Sequence, residues 1–445
     1  MTASGSAGSV GWRIGTAGLG GLLGGLIGGF FVVGMTLVLK AGMDRVAALD
    51  TWLLIGVPLV GLALAVLVLQ GYGRDALPGA ELAGGPSRKQ SWRAFRPGAI
   101  RADITGDIVE CAGEEERFPW RLAPIRAVAI LATVGSGGAM GTEAPAAYLG
   151  DAAGVCLGDR GRQWRRLLRP AALGGGAAGV AALMGVALVG TAYLLELGQR
   201  RRNLLSAERL TAALVGGLVG WGINVAFNLN LIRLIVPREP PRSFAQAAIT
   251  ALFIGSISGA ITSLAGTAIY RAKKWRASPG VRLALDGLAA LATALALATI
   301  APATAVGPGG GAILWAENTQ APPLTLLAVC LLRAAATTAA AAAGGCGGVF
   351  VPFLAIGDIG GRVFVPELGI GSDLAGAAGA AAGIAGGYRL PLTAIAMVVG
   401  IGGPRLATLT CLATVGIAFV TGASVEMALD RASKLWPLGQ QAEAP

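Results

Sequence analysis

Histidine is absent from all 445 residues. That single absence excludes imidazole metal ligation, Ser-His-Asp nucleophilic catalysis and imidazole acid–base chemistry, and most enzyme classes go with them. Cysteine is scarce too. Cys111, Cys156, Cys330, Cys346 and Cys411 form no CxxC pair and lie in or beside apolar segments, so neither a disulfide framework nor a zinc site is implied. No metal or cofactor is expected. Charged residues make up only 13% of the chain against 54% hydrophobic, and mean hydropathy is +0.67, which excludes an ordinary soluble domain.

Long apolar runs fill the chain instead. Leu19–Leu39, Leu53–Leu69, Ala127–Met140, Ala171–Leu195 and Leu283–Ile300 are among them. They imply an all-α, polytopic membrane bundle of about ten to fourteen hydrophobic helices, some too short to span alone. The 71 glycines favour close helix contact in such a bundle. Within Gly20–Gly29 small residues recur every four positions, which reads as a packing face.

The net charge of +11 does not point to nucleic acid, because the basic residues gather in short loops and not along an aromatic groove. Arg160, Arg162, Arg165, Arg166 and Arg169 form one cluster; Arg200–Arg202 with Arg209, and Arg271, Lys273, Lys274 and Arg276, form two more. These are the marks of cytoplasmic loops, and a weaker cluster at Arg233, Arg238 and Arg242 departs from the rule. Met1–Val10 carries no positive charge before the first apolar run, so no cleaved signal is expected. Loose tails are expected at 1–14 and 436–445, with no regulatory domain after the last helix.

Self-comparison exposes a repeat. Gly137–Gly154 and Gly344–Gly361 match at a constant offset of 207, with identities at Gly137/Gly344, Gly138/Gly345, Gly141/Gly348, Pro145/Pro352, Gly150/Gly357, Asp151/Asp358 and Gly154/Gly361. Downstream, Ala177–Ala181 resembles Ala381–Ala385 at a slightly smaller offset. One membrane domain, 1–445, built of two repeats at about 15–240 and 241–435 follows, with a site at their interface. Each motif is a glycine turn followed by a proline in the first helical turn. Two helix starts facing each other would cradle an anion on backbone N–H groups; two packing turns are the plainer alternative.

Gly141-Thr142-Glu143-Ala144-Pro145 resembles the GREGP motif of the CLC chloride channel and transporter family, and Gly347-Gly348-Val349-Phe350-Val351-Pro352 resembles its GGxFxP motif. The likeness spans roughly residues 15 to 435. It implies a CLC-type bundle of two inverted repeats, a homodimer, and chloride or a similar anion as cargo, with protons as a further partner. It makes Glu143 the gating carboxylate, which competes with anions for the pathway. The backbone N–H groups of Val349 and Phe350 become the central donors, with Gly348, Gly141 and Thr142 beside them.

Several positions depart from the family pattern. No GSGIP turn follows the second long helix; Arg74-Asp75-Ala76-Leu77-Pro78 stands there, with Asp75 as the candidate pathway residue, and Pro86–Glu116 reads as an inserted charged stretch. The family's pore tyrosine falls on Glu426, either a cavity-facing carboxyl that donates a hydrogen bond or a helix-surface acid. The family's internal proton glutamate falls on Leu197, leaving Glu196 as the candidate proton route or as an i, i+4 partner of Arg200. The expected function is passage of chloride or a similar anion across a bacterial inner membrane, as a channel or a proton antiporter, with fluoride also possible as cargo. A non-conducting scaffold is the alternative; an intramembrane enzyme would need paired catalytic groups that the apolar runs lack.

Overall fold

The computed structural model describes residues 4–71, 103–200, 205–229, 231–274 and 279–435. Asp75 and the tail 436–445 lie outside the described residues. In chain order the helices are α1 (Ser4–Ala47), α2 (Thr51–Gly71), α3 (Ile104–Cys111), α4 (Ala123–Ile130), α5 (Glu143–Gly158), α6 (Leu168–Met184), α7 (Ala187–Gln199) and α8 (Ala207–Ala226). They continue with α9 (Phe244–Lys274), α10 (Pro279–Ile300), α11 (Gly310–Asn318), α12 (Pro323–Ala342), α13 (Phe350–Arg362), α14 (Ser372–Gly383), α15 (Pro391–Ile401) and α16 (Arg405–Leu435).

Eight helices among the described residues, namely α1, α2, α6, α8, α9, α10, α12 and α16, are long and apolar enough to cross a bilayer. The others are short, and they include both helices that follow the glycine–proline motifs. Two expectations are corrected here. The run Ala171–Leu195 is not one span, because it breaks at Gly185 into α6 and α7. The expected loose tail 1–14 is helical from Ser4, since α1 extends back from its apolar segment and Thr16 Oγ1 bonds to the Trp12 carbonyl at 2.9 Å.

The glycine stripe of α1 packs as its spacing predicts. A methyl group on Gly20, Gly24 or Gly28 would strike Pro170, Ala171 or Gly175 of α6, and one on Gly21, Gly25 or Gly29 would strike Ala212, Gly216 or Ile223 of α8. Adjacent positions on one helix thus admit two neighbours at backbone contact, where dispersion and close fit hold the bundle. The same device seats the two motif helices. Gly150 and Gly154 of α5 lie against the Gly175 and Ala171 carbonyls of α6, and Gly357 and Gly361 of α13 lie against the Gly379 and Ala375 carbonyls of α14. Those partners are themselves offset by 204 residues, the smaller shift seen in the sequence.

The hydrogen bonds of the two turns repeat at 207. Gly138 N–H donates to Thr133 O and Gly345 N–H to Ala340 O, both at 3.0 Å. Gly137 and Gly344 sit at φ +88° and +101°, a conformation that a side chain would strain. The turns then meet: Gly141 and Gly348 exchange both backbone bonds, at 2.7 and 2.8 Å, in an isolated antiparallel bridge. From that bridge both motif helices set out, α5 two residues after Gly141 and α13 two residues after Gly348.

Candidate functional site

Neither motif helix is capped by a side chain at its start. Thr142 and Val349 occupy the N-cap positions of α5 and α13 without making the cap bond, so N–H groups at both starts are available to another acceptor. That acceptor is the carboxylate of Glu143, the first residue of α5. Its Oε1 accepts from Phe350 N–H at 2.6 Å, across the interface between the repeats. Oε2 has no hydrogen-bond partner.

The carboxylate is fully buried and lies between Gly141 and Gly348; a methyl group on either glycine would collide with it. The positive ends of two helices therefore converge on one negative group. Gly141, Thr142, Glu143, Gly348, Val349 and Phe350 thus lie together where the two helix starts meet.

An aromatic wall closes one side. The Phe350 ring meets Tyr193 of α7 edge-on at 5.8 Å and Tyr388 at 6.1 Å. The two tyrosine hydroxyls lie 3.1 Å apart, and the Tyr388 hydroxyl is 3.3 Å from Thr105 Oγ1 in α3. Arg200 donates to the Tyr388 carbonyl and lies 5.5 Å over its ring. Sequence reasoning missed Tyr388, Tyr193 and Thr105. Their only signal was scarcity, since the chain has five tyrosines in all.

Three expectations change. Glu426 is half exposed, and its carboxylate accepts from Arg389 Nη2 at 2.7 Å, so it is a helix-surface acid; the tyrosines beside Phe350 are Tyr193 and Tyr388. Glu196 is not spent on Arg200. It caps α15, accepting from Leu392 N–H at 3.0 Å, Thr393 N–H at 2.9 Å and the Thr393 hydroxyl at 2.8 Å, because that helix begins with an uncapped turn within its reach. The stretch read as an insertion holds α3, whose start is capped by Asp103 at 3.3 Å from Gly106 N–H and whose Ile104, Asp107, Ile108 and Cys111 are buried. The helix start near the aromatic wall is thus Asp103–Gly106, and the segment Arg74–Pro78 lies outside the described residues.

Arg333 of α12 is fully buried and donates only to carbonyls, to Gly307 O at 2.7 Å and Thr304 O at 3.3 Å. Gly307 N–H in turn donates to Gly137 O at 2.7 Å. The arginine therefore fixes the loop that holds the first motif's turn.

Known proteins give a consistent picture. The chain is 26% identical over 399 residues to an H(+)/Cl(-) exchange transporter ClcA of Yersinia pestis, covering 85% of this chain and 78% of that protein. It is 25% identical over 296 residues to a ClcA of Vibrio cholerae, covering 63% and 62%. Among solved structures, a CLC-type fluoride/proton antiporter superposes with TM-score 0.69 at 20% identity, covering 94% of this chain and 96% of that one. A slow cyanobacterial Cl-/H+ antiporter gives 0.63 at 21% identity, covering 96% and 98%. These structural likenesses concern the fold. The sequence model of the voltage gated chloride channel family matches residues 91–423, which take in both glycine–proline motifs and about three quarters of the chain, and the chain therefore belongs to that CLC family.

Proposed function

We propose that this integral membrane protein moves a small anion, chloride or a similar halide, through the junction of α5 and α13, with Glu143 as the gate. The observation that carries this reading is the seat of the Glu143 carboxylate on Phe350 N–H between Gly141 and Gly348. A carboxylate held by backbone donors occupies a place suited to a free anion of the same charge. When the side chain leaves, the N–H groups of Val349 and Phe350 and the two helix ends receive the anion instead. Thr142 and Gly141 shape the approach. Catalysis of a covalent reaction has no part in this scheme.

Exchange for protons is the favoured form of the activity. Proton and anion are linked at one atom set: protonating Glu143 weakens its hold on the donors and so favours anion entry, and reciprocity makes anion entry favour protonation. Exchange is also what the names of the relatives describe. Repeats at 15–240 and 241–435 in one membrane domain, a homodimer with one pathway per subunit, and a bacterial inner membrane complete the proposal.

The test is flux and reversal potential of the purified chain in liposomes under chloride, fluoride and pH gradients. Anion flux with opposed proton movement supports the reading. A folded protein that passes neither anion would be a scaffold, and anion flux without protons would reduce the reading to a channel.

A further inference from the structure

The repeat places an aspartate at the same point of each motif helix, and the two are treated differently. Asp358 of α13 is held by Arg362, with Nε to Oδ1 at 2.8 Å. Arg362 in turn reaches Ser372 at 2.6 Å and Glu317 at 3.7 Å. The position equivalent to Arg362 in the first repeat is Val155, so Asp151 of α5 has no arginine one turn on. Asp151 is buried, and its Oδ1 has no hydrogen-bond partner. Burying a carboxyl oxygen without a partner is costly, and a fold that only needed packing there would carry an apolar side chain.

What Asp151 faces is also unusual. It lines a small cavity of about 10 Å³, room for about one water molecule, together with Glu115, Arg209 and Cys111. Those three are the titratable or charged groups facing it from the packed elements; Phe118, Leu173 and Leu194 close the rest. Glu115 Oε1 accepts from Arg209 Nη1 at 2.6 Å and from Gly113 N–H at 3.0 Å, while its Oε2 has no partner. Beyond that ion pair lies a much larger cavity of about 540 Å³, lined in part by Arg166 and Arg169 of the arginine-rich loop. Arg209 and Leu173 line both cavities, so they form the partition between them.

We infer that Asp151, with Glu115 at the partition, is a proton station of this chain on the side of the arginine-rich loop, supplying and draining Glu143. The inference rests on the proton-coupled reading of the function, and it gives this chain an inner carboxyl where Glu196 is engaged as a helix cap and Leu197 is apolar. A proton entering from the large cavity passes the Glu115–Arg209 pair, protonates Asp151 by way of the single water position, and leaves again by the reverse route. Glu143 lies eight residues earlier on the same helix, about 12 Å along its axis, so water must carry the proton over that stretch.

The experiment measures chloride or fluoride efflux and proton uptake together, in liposomes holding the parent, Asp151→Asn, Asp151→Glu or Glu115→Gln. Folding is checked by elution as the parent species. The expected result is that D151N lowers proton movement by at least about tenfold while anion flux stays within about threefold, and that D151E restores coupling. Asp151→Ala replaces D151N if that variant misfolds. E115Q should slow proton movement with the same selectivity. Equal coupling in the parent and the folded D151N or D151A overturns the assignment and leaves the coupled function intact. Anion and proton fluxes lost in equal measure also overturn it, because a proton station must be selective. A parent that passes anions without protons refutes coupled exchange itself, and the station with it.

Discussion

Replacing Glu143 with alanine isolates the competition on which the proposed gate depends. In the parent the carboxylate holds Phe350 N–H at 2.6 Å and sits where two helix starts meet. A charge-assisted bond of this kind contributes about 1.5–3 kcal/mol net, and each helix end about 0.3–1 kcal/mol. An anion arriving from water must displace that internal rival. Taking about 2–3 kcal/mol for the combined advantage, removal of the rival raises apparent anion affinity by about 30- to 150-fold. The Phe350 and Val349 donors are backbone groups, so the alanine variant keeps them.

Isothermal titration with chloride and with fluoride, on parent and E143A in the same detergent, reads that ratio directly. The pH response supplies a second arm. Protonation neutralises the parent's rival group, so the parent's apparent affinity rises as pH falls and converges on that of E143A, whose own affinity stays flat across the same range. Equal affinities at neutral pH, or parallel pH slopes in the two proteins, would refute the reasoning, since both require that the carboxylate and the anion never contend for the same donors.

Glu196→Gln weakens the cap on α15, where two backbone N–H groups and a hydroxyl depend on one carboxylate; a loss of about 1–2 kcal/mol and a lower unfolding midpoint are expected, with the proton-to-anion ratio unchanged in liposomes. Gly24→Val forces a branched side chain onto the Ala171 carbonyl, and a loss of about 3 kcal/mol or more, seen as a collapse of monodisperse protein on size exclusion, is expected. Glu426→Gln breaks a half-exposed pair with Arg389 and should cost no more than about 1 kcal/mol, with anion flux indistinguishable from the parent.

The parts of this fold that were legible in the sequence are those where chemistry leaves one choice. The positive φ at Gly137 and Gly344 and the tight seats of Gly150 and Gly357 demand glycine, so the repeat survives as identities at a fixed offset. The stripe Gly20–Gly29 was legible for the same reason, because small-residue spacing is itself the contact. Glu143 stood out as an acid at a helix start among glycines. Other positions carried no such signature. Tyr388 ends a π-helical segment, Ile384–Tyr388, that runs straight on from α14, far from where the family pattern led, and its hydroxyl is placed by tertiary contacts with Tyr193 and Thr105. Glu196 looked like the partner of Arg200 because i, i+4 spacing is visible along one helix, whereas a bond to another helix's first turn is not. The run Ala171–Leu195 hid its break because Gly185 was one glycine among many.

The asymmetry of the repeat carries the last step. The equivalent of Glu143 at the offset of 207 is Phe350, so the two helix starts are alike in backbone and unlike in side chain. If both carried acids, two carboxylates would face one set of donors and repel each other; if neither did, the N–H groups would stand open to any anion. One acid and one phenylalanine give a cradle with a single internal occupant. The acid of the first repeat bonds to the backbone of the second, so its departure frees a donor that belongs to the other half of the protein. The Gly141–Gly348 bridge holds the halves together through backbone alone and does not depend on that side chain. A gate can then move without the interface moving, and motif helices seated glycine-on-carbonyl, as Gly150 on Gly175 and Gly357 on Gly379, have little room for larger motion. The same logic distinguishes the two aspartates further along: Asp358, held by Arg362, belongs to the scaffold, while Asp151, on the helix that bears the gate, is free to exchange a proton.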